Sequence, residues 1–238
     1  MLVPPLDRTT ALFLDFDGTL VEIAPRPEAV RVAASLPDRL AAARDRLDGA
    51  LAVVSGRPIA DIDRMLAPLR LVAAGVHGLE VRDDPAGAIG ASTSATALVD
   101  VRAALAAAGL PGVRVEDKRL AVAVHYRDAP TLGPEVLALL EAAIRPHPSL
   151  HLVTGKMVVE VKPRGTDKGT ALVNFLARPP FRNRVPVMIG DDVTDEDAFR
   201  AALAAGGRAI KVGPGDSLAP ERLPDVAAVH ALVATLAG

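Results

Sequence analysis

The chain has 238 residues, enough for one large domain or two small ones. Half of them are hydrophobic and only 3% aromatic with no Trp, so the core must be built from Ala, Val and Leu. A net charge near −2 with no basic stripe excludes a nucleic-acid or membrane-binding face, and the absence of Cys excludes disulfides, zinc–thiolate centres and thiol nucleophiles.

No apolar segment approaches the roughly 20 residues of a membrane span. The first ten residues hold two prolines and no signal-like apolar run. The expectation is a cytoplasmic protein acting on a small molecule, a monomer or an oligomer of unassigned size.

In chain order, Leu12–Phe16 reads as a buried first strand. Pro25 and Pro27 mark a loop, and the spacing of Val32, Leu36, Leu40 and Leu47 predicts a helix over 28–47. Leu51–Val54 is a second buried strand, with Pro58 opening the next helix through Ile59, Ile62 and Leu66. Leu71–Ala74 is a third strand. Strands alternating with helices, the strands short and continuously apolar, predict a parallel sheet covered on both faces.

After Gly78 the pattern changes. A short strand over 79–82 is followed by a helix over 93–108, strands Val113–Asp117 and Leu120–Tyr126, a helix over 134–145, and strands Leu150–Thr154 and Met157–Val161. Helix, strand, strand, twice over, predicts a small antiparallel sheet with helices on one side. The alternating pattern then returns: a helix through Lys168–Leu176, a strand at Pro186–Ile189, a helix over 195–204, a strand at Ala209–Val212 and a last strand at Val226–Val229. The expected fold is therefore α/β, a doubly wound parallel-sheet core over 1–78 plus 164–238 with an inserted α/β domain over 79–163. Pro163-Arg164-Gly165 makes a hinge between them.

In an open parallel sheet, ligands bind beyond the carboxyl ends of the strands. Asp15 and Asp17 end the first strand; Ser55 ends the second; Asp191, Asp192 and Asp195 follow the Pro186–Ile189 strand; Lys168 starts the returning helix. Asp15 and Asp17, two residues apart, repel unless a metal ion, a lysine or a proton intervenes. Each feature also has a plain structural reading: an Asx turn, a Ser-Gly turn, an acidic helix N-cap, a solvated lysine. Four of them at one sheet edge favour chemistry.

The stretches DFDGTL, VVSGRP, TDKG and GDDVTDEDAF, in this order, resemble the four motifs of the haloacid-dehalogenase superfamily of phosphatases, and the doubled insert resembles that superfamily's large cap domain. GVHGLEVR, EDKRLAVAVHYR and GKMVVEVKPRGTDKGTAL are similar to the trehalose-6-phosphate phosphatases, across nearly the whole chain, and the expectation is that no synthase domain precedes it. The resemblance implies hydrolysis of trehalose 6-phosphate with Mg²⁺ as cofactor. Asp15 would be the nucleophile and Asp17 the general acid and then base. Asp15, Asp191 and the Asp17 carbonyl would hold the metal, with Asp195 and Asp192 orienting its waters or Lys168. Gly18, Ser55, Gly56 and Arg57 would receive the phosphoryl group, and Lys168 would balance charge. His77, Gly78, Glu80, Glu116, Lys118, His125, Arg127, Lys156 and Glu160 are candidates for reading the sugar; His147, His151 and His230 are taken as structural or exposed. Two alternatives are a phosphatase of another phosphosugar, such as a sucrose or mannosylglycerate precursor, and a catalytically silent regulatory subunit.

Overall fold

The computed structural model describes residues 3–24, 29–91, 93–117, 121–155, 157–164 and 167–236. They divide into two compact units, 1–90 with 167–238, and 91–166. The division falls after Gly90 and Thr166 rather than after Gly78 and Pro163, because residues 80–82 pair with the first unit's sheet.

In the first unit the strands are β1 (Thr10–Leu14), β2 (Leu51–Val54), β3 (Val72–Gly75), β4 (Glu80–Arg82) and β5 (Gly90–Ala91), then β10 (Val185–Gly190), β11 (Arg208–Val212) and β12 (Glu221–Leu223). They form one sheet in the order β12-β11-β10-β1-β2-β3-β4-β5. The six strands from β12 to β3 are parallel, and β4 joins antiparallel to β3. Strand order reverses direction around β1, which places a crevice beyond its carboxyl end. The helices are α1 (Leu36–Arg46), α2 (Ile59–Leu66), α5 (Lys168–Leu176), α6 (Glu196–Ala204) and α7 (Val226–Ala234). Every residue of β1 and β2 is buried, as strands covered on both faces require.

Three expectations are corrected here. Helix α1 begins at Leu36, not at 28, because Pro37 has no N–H to donate and is tolerated only in a first turn. Residues 226–229 are helix rather than strand: Asp225 caps α7 by accepting the Ala228 N–H at 2.8 Å, and Val226, Val229, Leu232 and Val233 supply its buried face. The short β12 was not anticipated.

The second unit contains α3 (Thr93–Ala108), β6 (Arg114–Asp117), β7 (Val122–His125), α4 (Gly133–Ile144), β8 (Leu150–Gly155) and β9 (Val158–Pro163). Its antiparallel sheet runs β6-β7-β9-β8. Val122, Val124, Val159 and Val161 share a core with Leu98 and Val101 of α3 and Val136 and Leu140 of α4. By alternation, Ala123, His125, Val158 and Glu160 lie on the opposite face. No helix among the described residues is long and apolar enough to cross a membrane.

Candidate active site

The site starts from the register of α5 against β1. Phe13 and Asp15 share one side of β1 and its extension. Lys168 and Phe175 are seven residues apart, two turns along one face of α5. Phe13 stacks on Phe175 with ring centroids 6.3 Å apart, and Phe181 completes the cluster at 5.3 Å from Phe13. The Asp167 carboxylate caps α5 by accepting the Thr170 N–H at 2.7 Å. Apolar packing and cap together bring the Lys168 ammonium to the end of β1. There it donates to Asp15 Oδ1 and to Asp195 Oδ1, each at 2.7 Å, with all three residues buried.

The Asp195 carboxylate is fully committed. Oδ1 takes Lys168, and Oδ2 accepts the N–H groups of Asp191 and Asp192 at 3.0 Å each. The Asp192 carboxylate in turn accepts the Asp195 N–H, a capping box that opens the short 3-10 turn Val193–Asp195 ahead of α6. Asp192 therefore acts as a cap; Asp195 is the residue that orients Lys168. Asp195 also fixes the backbone of the loop that presents Asp191.

Asp15, Asp191 and Asp195 each offer a carboxylate oxygen, and these lie within 4.8 Å of one another. Burial pushes Asp15 up to about 8; Lys168 opposes the rise and Asp195 adds to it. Burial, then Asp195, also raises Asp191. Burial alone would lower Lys168, but Asp15 and Asp195 outweigh it and the net shift is upward. With Asp195 spent on Lys168 and the backbone, Asp15 and Asp191 remain as hard oxygen ligands whose repulsion a divalent cation relieves. The donor set fits such a cation. Gly18 leaves room for it: φ is +78°, and a Cβ there would lie at most 2.6 Å from the Asp191 carboxylate atoms.

At the end of β2, Ser55 is buried and its Oγ accepts the Arg57 N–H at 3.1 Å. Val76 and His77 sit beside this loop with φ of +52° and +53°. A β-branched residue there is a genuine outlier, of the kind that gathers at functional sites. Hydrogen bonds hold the strained pair: the His77 N–H donates to Ser55 O and the Val76 N–H to Arg57 O, both at 3.0 Å. The His77 ring leaves no space for a Cβ at Gly56. Burial, then Lys168, lowers the His77 pKa, which favours the neutral imidazole. Gly78 (φ +95°) closes the turn against the Asp167 carbonyl.

Two candidates are already engaged. Glu80 Oε2 accepts the Ile59 N–H at 2.8 Å and so anchors the start of α2 behind the Ser55 loop. Arg57 grips Asp17, donating from Nε at 2.5 Å and from an Nη at 2.7 Å. Asp17 keeps about a third of its side chain exposed, so it is not buried as its neighbour Asp15 is.

Within the second unit, the register sets Glu116, Ala123, Glu160 and Val153 in one row across the sheet, opposite the helices. Two strand spacings separate the carboxylate-bearing residues by roughly 10 Å across the small Ala123. His125, diagonal to Glu116, bonds its Oε2 at 2.9 Å. Glu160 pairs with Lys162 at 2.8 Å. Arg127 is exposed beyond the end of β7. Lys118 and Lys156 lie outside the described residues.

Sequence reasoning missed two participants. Thr19 Oγ1 donates to Asp191 Oδ1 at 3.4 Å, and Lys211 Nζ donates to the Asp191 carbonyl. A charge set between Ile210 and Val212, inside an otherwise buried stretch of the strand, was the available signal for the second.

A buried carboxylate ending a strand at the centre of such a sheet, a lysine from the returning helix and an acidic loop after the neighbouring strand sit on the haloacid-dehalogenase-like fold. The chain belongs to the trehalose-phosphatase family, whose profile matches residues 13–218. It is 42% identical over 232 residues to a probable trehalose-phosphate phosphatase of Sinorhizobium fredii, covering 95% of this chain and 87% of that protein. It is 40% identical over 233 residues to the trehalose-6-phosphate phosphatase of Escherichia coli, covering 94% and 86%. The solved trehalose-6-phosphate phosphatase of Aspergillus fumigatus shares the fold, with a TM-score of 0.70 at 24% identity over 98% of both chains.

Proposed function

We propose that this protein hydrolyses trehalose 6-phosphate to trehalose and phosphate through an aspartyl-phosphate on Asp15. The observation that carries the reading is the buried Lys168 ammonium bonded at once to Asp15 and Asp195, in a chain of the trehalose-phosphatase family.

An Asp15 carboxylate oxygen attacks phosphorus, and the bond from phosphorus to the sugar oxygen breaks. Asp17 gives its proton to the leaving sugar oxygen, then takes one from the water that cleaves the acyl phosphate and frees Asp15. Giving a proton in the first step requires Asp17 to leave Arg57. Lys168 offsets the repulsion between Asp15 and the phosphoryl dianion, and Ser55 Oγ–H donates to a phosphoryl oxygen. Asp15, Asp191 and the Asp17 carbonyl would hold Mg²⁺, which when bound supplies charge neutralisation between the two carboxylates and the phosphoryl group.

We assign sugar recognition to the row holding Glu116 and Glu160, since carboxylates accept from sugar hydroxyls; His125 positions Glu116. The test is phosphate release across a panel of sugar phosphates with and without Mg²⁺. Trehalose 6-phosphate should be turned over far faster than glucose 6-phosphate or sucrose 6-phosphate; comparable rates would defeat the assignment. Glu116→Ala and Glu160→Ala should raise KM for the disaccharide ester and leave a small aryl phosphate unaffected. Equal losses on both substrates would remove those residues from sugar recognition.

A further inference from the structure

Lys211 is absent from the reaction above, yet it is one of the few buried charges in the protein, 7% exposed at the end of β11. Among the described residues its ammonium forms no salt bridge. It donates to two backbone carbonyls, those of Asp191 and Val212, the latter at 2.9 Å. A buried ammonium with no carboxylate in contact is costly, and a methionine would fill the same apolar strand without that cost.

The backbone around Asp191 shows what the ammonium does. The Asp191 N–H is held by Asp195 Oδ2, and the Asp191 carbonyl is held by Lys211. The peptide group that follows Asp191 is thus held at both its polar atoms, the Asp192 N–H by Asp195 Oδ2 and the Asp191 carbonyl by Lys211. Asp191 also borders a cavity of about 300 Å³, together with Gly18, Lys211 and Gly213.

We propose that Lys211 is a positioning residue for the cation site: it locks the Asp191 peptide so that the carboxylate faces Asp15. The proposal rests on reading Asp191 as a cation ligand. Loss of such a partner typically weakens metal binding about 10–100-fold.

The test is Mn²⁺ binding without substrate, read as free Mn²⁺ by electron paramagnetic resonance, with the melting temperature recorded alongside. K211M should weaken Mn²⁺ binding by about tenfold or more. K211Q, which keeps an uncharged NH2 donor, should recover part of the loss. Either of the following results would overturn the proposal. Tighter binding by K211M would mean that Lys211 acts only as a repelling charge. A lowered melting temperature with unchanged Mn²⁺ affinity would mean that it only stabilises the fold. Should K211M fail to fold, K211Q carries the test: weakened binding supports the proposal and wild-type binding overturns it. D191N separates the two readings. If it binds Mn²⁺ as wild type does, the ligand assignment has failed; if it loses binding while K211M does not, only the role of Lys211 has.

Discussion

Gly18→Ala perturbs the site at its narrowest point. Two costs arise, and they separate. The first is conformational: at φ +78° a Cβ costs about 1–2 kcal/mol. In a chain of this size that lowers the melting temperature by about 2–8 °C. The second is local. The added methyl would lie at most 2.6 Å from the Asp191 carboxylate, against an ordinary contact of about 3.5 Å, so the carboxylate must move by about 1 Å. A displacement of that size in a catalytic group is worth on the order of 100-fold in rate. Gly206→Ala is the control: φ there is +74°, and a Cβ would meet nothing within 4 Å. Both variants should show the thermal loss, measured by calorimetry. Only Gly18→Ala should lose cation affinity and phosphate release. A Gly18→Ala enzyme with cation affinity within about twofold of wild type would refute the reasoning, since a displaced ligand group costs about tenfold or more.

Other outcomes follow from the same geometry. Lys168→Met strands Asp15 and Asp195 without their cation and should cost about 3–5 kcal/mol at pH 8, measured by urea unfolding. Lys168 is what holds Asp15 down, so its loss should push Asp15 further up and leave it protonated at pH 5.5 and pH 8 alike; a cost below about 1 kcal/mol would mean that the ammonium does not compensate the buried carboxylates. In the cation-free wild type, Asp15 is raised from 3.8 to about 8, and Asp191 is raised as well. The folded state therefore binds more protons than the unfolded state in that window, and stability falls as pH rises from about 4 to 8, by about 1.4 kcal/mol per pH unit for each fully linked proton. Lys168, raised above 10.5, does not titrate there. Urea unfolding in EDTA should show this fall and saturating Mg²⁺ should flatten it; a rise with pH in EDTA would contradict it. For the same reason cation binding at pH 6.5 should release a proton, seen by calorimetry in buffers of different ionisation enthalpy; heats independent of buffer would count against proton-bearing ligands.

The core architecture was legible because its strands are short, continuously apolar and separated by helical spacing, a pattern that few folds share. The triad of Asp15, Lys168 and Asp195 was legible because each residue sits at an element end, where side chains face the crevice. What local pattern could not show was competition for the same polar group. Glu80 lies near the candidate site in sequence, but the open N–H of Ile59 claims it. Asp17 reads like Asp15 two residues on, yet the turn at Gly18 leaves it partly exposed and Arg57 takes both its oxygens. Val226–Val229 has the branched residues of a strand, but the cap at Asp225 and the buried face it shares with Leu232 and Val233 make it a helix. The short β12, Glu221–Leu223, has no apolar run to announce it.

The account depends on a covalent bond between Asp15 and phosphorus. Acid quenching of the enzyme during turnover of trehalose 6-phosphate, followed by peptide mass spectrometry, tests it directly. A phosphoryl adduct on the peptide carrying Asp15, absent in Asp15→Asn and in a no-substrate control, is the predicted result. An adduct on another residue, or turnover that persists undiminished in Asp15→Asn, would contradict it.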